Sequence, residues 1–160
     1  MNGSKISDLE KFWTIDNLKK IMNQSFIDKT SIFQTRPKYS NEGKKEILQT
    51  FFENRKIGQS LKPVVVTAYD LEARKPILLS SYGDPEVTAV NAANASSAAP
   101  IYFPTASMED GRWLIDGGIA TNNPSLIGYV EAKKLFSTNN INCLLYTSPS
   151  PRDLSTSRMP

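Results

Sequence analysis

The 160-residue sequence has no histidine and only one cysteine, Cys143. Without histidine, these residues cannot form a Ser-His-Asp or Cys-His catalytic group, and the usual zinc ligand sets cannot be assembled from them. One cysteine cannot form an internal disulfide. The sequence therefore excludes histidine-dependent catalysis within these residues and argues against a zinc site.

Long apolar runs and a strong excess of one charge are also lacking. No run approaches the roughly 20 residues that a transmembrane helix needs, and Met1 to Trp13 lacks the apolar core of a signal peptide. The 19 basic and 16 acidic side chains are interspersed and give a formal net charge of only +3. This charge is too small for a typical nucleic-acid-binding surface. We expect a cytoplasmic protein that does not bind nucleic acid.

The composition divides the chain into a domain and a tail. Residues 1–142 have the mixed, ordinary composition of one folded domain, whereas residues 143–160 are rich in proline and serine and have no periodicity. The segment from Cys143 to Pro160 resembles a translated sequencing-library adapter joined to a shortened reading frame. A disordered native tail is the alternative. We expect residues 1–142 to be a partial domain and residues 143–160 to be a non-native tail.

Hydrophobic patterning predicts alternating helices and strands. Helices are predicted at 15–26, 42–54, 87–99 and 125–136, and strands at 64–69, 75–81 and 113–115. The strand at 64–69 is apolar on both faces, which is typical of the middle of a sheet. The helix at 87–99 contains eight alanines or serines and no glycine, which favours close packing. This order predicts a layered α/β domain.

Two lysines of the helix at 42–54, Lys44 and Lys45, are adjacent in the sequence. We interpret them as part of a solvent-exposed helix face rather than as a lipid-binding patch.

An aspartate at the end of the third predicted strand is the strongest candidate for chemistry. Asp116 follows Ile115 and precedes Gly117 and Gly118. Carboxylates at strand ends of α/β sheets lie where ligands usually bind, and glycines allow a close approach to a partner. Asp-Gly is also a common turn dipeptide. From these residues alone, a catalytic aspartate and an ordinary turn both remain open.

Asp116 stands within an ordered series of motifs that resembles the patatin family. The series comprises Lys62–Leu71 (KPVVVTAYDL), Lys75–Tyr82 (KPILLSSY), Ala95–Pro104 (ASSAAPIYFP) and Ile115–Pro124 (IDGGIATNNP). In that family, a small-residue helix ending in Ser-Ala-Ala-Pro leads to an aromatic-proline turn. Asp-Gly-Gly or Asp-Gly-Ala and then Asn-Pro follow. The resemblance extends over about residues 32–136, with one departure, because family members often carry arginine near Asn94.

The resemblance implies a three-layer α/β/α domain, incomplete at both ends here, and a lipid acyl hydrolase of phospholipase A or esterase type. It implies no metal and no organic cofactor. By resemblance, Asp116 is the general base of a serine–aspartate dyad, and Gly117 and Gly118 complete the Asp-Gly-Gly motif. The implied partner is a phospholipid or related glycerolipid substrate, with transient contact to a membrane surface.

The family's nucleophile motif, Gly-x-Ser-x-Gly, and its glycine-rich oxyanion loop are absent from these 160 residues. The segment Gly58–Lys62 fails the motif at its last position. We interpret Ser96 and Ser97 as close-packing helix residues rather than as substitute nucleophiles. We therefore expect this chain to contain the base without the nucleophile.

Two other classes of protein remain as alternatives. The first is a non-catalytic binding or scaffolding domain that keeps the patatin fold. The second is an unrelated α/β nucleotide-binding protein. No phosphate-binding glycine loop follows any predicted strand, and this argues against the second alternative.

Overall fold

The computed structural model describes residues 12–23 and 37–136. The chain divides into two compact units between Asn122 and Asn123. In the described ranges, the first unit contains a four-stranded sheet, three helices and two 3-10 turns, and the second contains one helix. The helices are α1 (Ile15–Ile21), α2 (Glu42–Phe52), α3 (Ala89–Ser96) and α4 (Ser125–Phe136). The strands are β1 (Val65–Asp70), β2 (Lys75–Ser80), β3 (Ala106–Ser107) and β4 (Trp113–Asp116), and the 3-10 turns are Ile57–Gln59 and Gly117–Ile119.

The sheet has the strand order β2-β1-β4-β3, and each neighbouring pair is antiparallel. The apolar strand β1 is an inner strand, as its sequence predicts. Ala68 of β1 lies opposite Ile77 on one side and Asp116 on the other. Because directly opposed residues project from the same face of a sheet, Asp116 shares its face with Ala68.

Helix α3 packs against β1, β3 and β4, and it is covered in turn by α2, against which α1 packs. The hydrophobic core between helix and sheet is made largely of small side chains, which allow the helix backbone to approach the strands closely. Its buried members include Ala68, Leu79, Ala92, Ala95, Ala98, Ala106 and Leu114. The predicted α/β domain with a closely packed small-residue helix is therefore confirmed.

The observed elements differ from the predicted ones mainly at their ends. Helix α3 is shorter than the predicted helix at 87–99, because Thr88 caps its start by accepting a hydrogen bond from the Asn91 amide at 3.1 Å, and Ser97 ends it. Strand β3 was not predicted, since two residues are too few to show a periodic pattern. Helix α1 ends at Ile21. The predicted continuation beyond Asn23 and the predicted tail at 143–160 lie outside the described residues.

The second unit contains α4, whose bounds match the predicted helix at 125–136. Asn123 lies two residues before its start, and its side-chain Oδ1 accepts a hydrogen bond from the Ser125 amide at 3.0 Å. Lys133 and Lys134 lie in the last turn, where positive charge is favourable. Among the helices of the described ranges, none combines the length and the hydrophobicity that crossing a bilayer requires.

Candidate active site

Asp116 is the last residue of β4 and is partly exposed. Its amide donates a hydrogen bond to the Ala98 carbonyl at 3.1 Å, so the chain just after α3 fixes its main chain. Its carboxylate oxygen Oδ1 accepts a hydrogen bond from the Gly118 amide at 2.7 Å. No hydrogen bond from a described residue reaches Oδ2. The carboxylate is therefore held in place through one oxygen, while the other has no hydrogen-bond donor among the described residues.

The two glycines after Asp116 serve different purposes. A Cβ atom on Gly117 would lie 2.5 Å from the carbonyl carbon, the carbonyl oxygen and Oγ1 of Thr67, so only glycine fits against β1 at this point. A Cβ atom on Gly118 would lie 3.1 Å from Oδ1 of Asp116. Neither glycine has a positive φ. The motif thus meets a need for space next to β1 and the carboxylate, rather than a need for left-handed backbone.

The burial of Lys44 shows that the prediction of an exposed Lys44–Lys45 pair is wrong for Lys44. Its side chain is buried between α2 and the end of α3, with only 5% of the residue exposed, whereas Lys45 is exposed. The Nζ atom of Lys44 donates hydrogen bonds to the carbonyl of Asn94 at 3.4 Å and to the carbonyl of Ser97 at 3.2 Å. It also lies 4.2 Å from the centre of the Phe103 ring. Adjacent helix residues point in different directions, and α2 turns Lys44 toward α3.

The sequence contains a signal that could have identified this burial. Lys44 precedes Ile47 by three residues and Leu48 by four, and residues at these spacings share one face of a helix. All three side chains are buried. A lysine at these spacings from apolar residues is therefore a candidate for a buried lysine. The neighbouring Lys45 makes the pair look like an ordinary exposed helix face.

The electrostatics of the site link Lys44 to Asp116. Burial lowers the pKa of Lys44 from 10.5 to about 8; the negative charge of Asp116 opposes this shift, and the charge of Lys45 adds to it. Within the described ranges, no lysine or arginine nitrogen lies within 4.0 Å of the Asp116 carboxylate. Asp116 therefore has a nearby positive charge without a direct ion pair that would occupy its free oxygen.

Ser97 has a different role from the one predicted. It is exposed, whereas the close-packed positions of this segment are occupied by alanines. Its hydroxyl donates a hydrogen bond back to the Ala93 carbonyl at 2.7 Å and accepts one from Lys44 at 3.4 Å. Ser96 ends α3 and is partly exposed. Among the described residues, no serine hydroxyl donates to the Asp116 carboxylate.

Asn94, near which family members often carry arginine, is buried, and its side-chain Oδ1 has no hydrogen-bond partner within the described part of the chain. The cation that reaches this region is Lys44, through the Asn94 main-chain carbonyl. In the same described ranges, no group of three or more acidic, cysteine or histidine side chains is arranged to bind a metal ion.

Comparison with known proteins assigns this fold and motif to a class. Residues 2–127 match the family model described as patatin-like phospholipase. The chain belongs to the patatin-like phospholipase family.

Relatives in plants and bacteria share this similarity. The chain is 33% identical over 117 residues to "Patatin-like protein 3" of Arabidopsis thaliana, an alignment that covers 65% of this chain and 27% of the relative. It is 37% identical over 75 residues to the "cGAMP-activated phospholipase" of Escherichia coli (strain TW11681), covering 42% of this chain and 21% of the relative. It is 28% identical over 113 residues to "Patatin-11" of Solanum tuberosum, covering 62% and 29%. The chain thus spans less than a third of the length of each of these relatives.

Proposed function

We propose that these residues are the base-bearing part of a lipid acyl hydrolase of phospholipase A or esterase type. The observation that carries this proposal is the arrangement of Asp116, a partly exposed carboxylate fixed through Ala98 and Gly118 with Oδ2 available. Membership in the patatin-like phospholipase family supports a lipid as the substrate. The proposed substrate is a phospholipid or related glycerolipid, met at a membrane surface in the cytoplasm.

Asp116 acts as the proton acceptor in the proposed reaction. As a serine oxygen attacks the ester carbonyl carbon, Asp116 accepts the hydroxyl proton, and it then gives that proton to the leaving alcohol. Water next attacks the acyl carbonyl carbon, and Asp116 accepts its proton. Asp116 returns this proton to the serine oxygen as the bond between that oxygen and the acyl carbon breaks, which releases the fatty acid. A carboxylate is a weak base, so this role requires a short, well-aligned contact with the serine. The hydrogen bonds that fix Asp116 supply that alignment on its side of the dyad.

The nucleophile and the oxyanion donors come, in this proposal, from residues outside the 160-residue sequence, which contains no Gly-x-Ser-x-Gly. We use "complete protein" for these residues together with that nucleophile-bearing part. Positioning and oxyanion stabilisation each contribute several kcal/mol to catalysis. The 160-residue chain alone is therefore expected to show no serine-dependent esterase activity.

The experiment is an ester-release assay on the complete protein and its Asp116→Asn variant, with thermal unfolding of both. Asparagine keeps the shape of the side chain and removes the proton acceptor, so turnover should fall by at least ~100-fold with little change in stability. Asp110→Asn is the matched control, because Asp110 is an exposed carboxylate in the turn before the same strand, and its variant should keep full turnover.

Three results would count against the proposal. Unimpaired turnover in Asp116→Asn would remove Asp116 from the reaction. Activity in the purified 160-residue chain would show that no external nucleophile is needed. A folded complete protein that releases no fatty acid from any glycerolipid would favour the non-catalytic scaffolding alternative.

A further inference from the structure

We propose that Lys44 is a positioning residue for Asp116, whose buried ammonium group holds the end of α3 and thereby the main chain of the carboxylate. The proposal rests on the role of Asp116 as the base. It assigns a function to a side chain of α2 that has no part in the dyad itself.

The first step is the contact between Lys44 and the end of α3. The last carbonyls of a helix lack partners within the helix and carry partial negative charge, so a cation is favourable there. Lys44 Nζ supplies a hydrogen bond to one such carbonyl, that of Asn94, at 3.4 Å, and another to the carbonyl of Ser97, the residue that caps the helix, at 3.2 Å. The Phe103 ring, 4.2 Å away, lies against the same ammonium group. Lys44 therefore fixes where this helix ends.

The second step connects that helix end to Asp116. Ala98 is the residue after Ser97, and its carbonyl accepts the hydrogen bond from the Asp116 amide at 3.1 Å. The ammonium nitrogen of Lys44 is thus linked to the main chain of Asp116 through its hydrogen bond to Ser97, the residue Ala98, and the hydrogen bond from the Asp116 amide to Ala98. A shift of the Ser97 carbonyl would tilt the peptide that follows and move Ala98, so the position of Asp116 depends on Lys44.

The third step is the cost of this arrangement. Burying a charge without a direct ion pair is unfavourable, and an apolar side chain of similar length would fill the same interface at a lower cost. Helix α3 has no charged residue to compensate Lys44, and Lys20 of α1 pairs with Glu46 on the exposed side of α2. The charges that act on Lys44 are those of Asp116 and Lys45. A charge kept at such a cost, beside a candidate base, indicates a role in the reaction.

The kinetic test uses Lys44→Met in the complete protein, with Lys45→Met as the matched control on the exposed face of the same helix. We expect Lys44→Met to lower kcat on the order of 10-fold with KM little changed, because misplacement of a catalytic group by a fraction of an ångström slows the chemical step. Lys45→Met should match the wild type. Equal kcat in Lys44→Met and the wild type would overturn the proposal.

The pH profile separates positioning by charge from simple packing. In the wild type, kcat/KM should fall above about pH 8 as Lys44 loses its proton. This alkaline decline should be absent in Lys44→Met. In Lys45→Met it should be retained at a somewhat higher pH, because the charge of Lys45 lowers the pKa of Lys44. If Lys44 served only to fill space, the pH profiles of Lys44→Met and the wild type would be the same. A decline that persists unchanged in Lys44→Met would therefore contradict the proposal.

Lys44→Arg keeps the test decisive if Lys44→Met does not fold. Arginine does not lose its proton in this range, so turnover should be retained while the decline near pH 8 disappears. An unchanged decline would overturn the proposal. The same variants distinguish a failure of this proposal from a failure of the proposed function. If Asp116→Asn is fully active, the assignment of Asp116 as the base is wrong. If Asp116→Asn is inactive and Lys44→Met behaves as the wild type, only the role of Lys44 is rejected.

Discussion

The two ends of strand β4 place carboxylates in contrasting surroundings. Just before the start of the strand, Arg112 forms a salt bridge of 2.6 Å with Asp110 and lies 4.0 Å from Asp84. At the other end, Asp116 has no ion pair within the described ranges, and a buried Lys44 supplies positive charge from outside salt-bridge distance. Near Arg112, the carboxylates are paired with a positive charge. At Asp116, one carboxylate oxygen has no partner among the described residues.

Hydrogen bonds of the acidic residues near Arg112 support the same distinction. Oδ1 of the buried Asp70 accepts bonds from the Glu72 and Ala73 amides, both at 2.9 Å, and so stabilises the turn between β1 and β2. Oδ2 of Asp84 accepts a bond from the Ser80 amide at 3.1 Å. The hydrogen bond from Arg112 is the main reason that the pKa of Asp110 is lowered. Carboxylates at this end stabilise turns and pair with Arg112.

The largest effect is expected from Gly117→Ala, which tests whether the Asp116 end depends on close backbone contact. The new Cβ would lie 2.5 Å from the Thr67 carbonyl, so β1 and the chain after β4 must move apart. We expect a loss of about 3 kcal/mol in the free energy of unfolding, typical of overpacking, and lower turnover. Gly128→Ala is the control, since nothing lies within 4 Å of its Cβ and alanine favours the helix. Equal unfolding midpoints for the two variants would refute the steric argument.

A smaller effect is expected from Lys44→Met on the pH dependence of stability. The lowered pKa of Lys44 means that the folded protein binds fewer protons than the unfolded chain between about pH 8 and 10.5. This group therefore opposes folding below pH 8, and its contribution to stability rises as the pH increases through that window. The wild type should gain on the order of 1 kcal/mol relative to Lys44→Met between pH 8 and 10. The measurement is the free energy of unfolding of both proteins by denaturant titration at several pH values. If this energy changes with pH in the same way for both, the pKa of Lys44 is not lowered by folding.

The smallest effect is expected from Arg112→Gln, at the opposite end of the strand. Of the partners of Arg112, Asp110 is exposed and Asp84 is partly exposed, and exposed ion pairs contribute about 0–1 kcal/mol. Unfolding should shift by no more than this amount, and turnover should stay at the wild-type level. A large loss of turnover would mean that the Arg112 end also belongs to the active site, and the contrast between the two ends would fail.

Much of the secondary structure could be predicted from the sequence, because the signals are local. The apolar strand β1, the small-residue helix α3 and the bounds of α4 follow from short-range patterns. The contact between Lys44 and Ser97 joins residues 53 positions apart, and local pattern does not show which elements meet. For the same reason, the need for glycine at Gly117 depends on Thr67, which precedes it by an entire hairpin and helix.

The central claim, that Asp116 is the base of a serine-dependent site, is tested most directly by one distance in an experimental structure of the complete protein. That distance joins a carboxylate oxygen of Asp116 to Oγ of the serine in a Gly-x-Ser-x-Gly motif. We expect Oδ2 to lie about 2.6–3.2 Å from the serine, since a general base must be within hydrogen-bond reach of the proton it accepts. A serine more than roughly 6 Å away, too far even for one bridging water, or the absence of such a serine, would contradict the account.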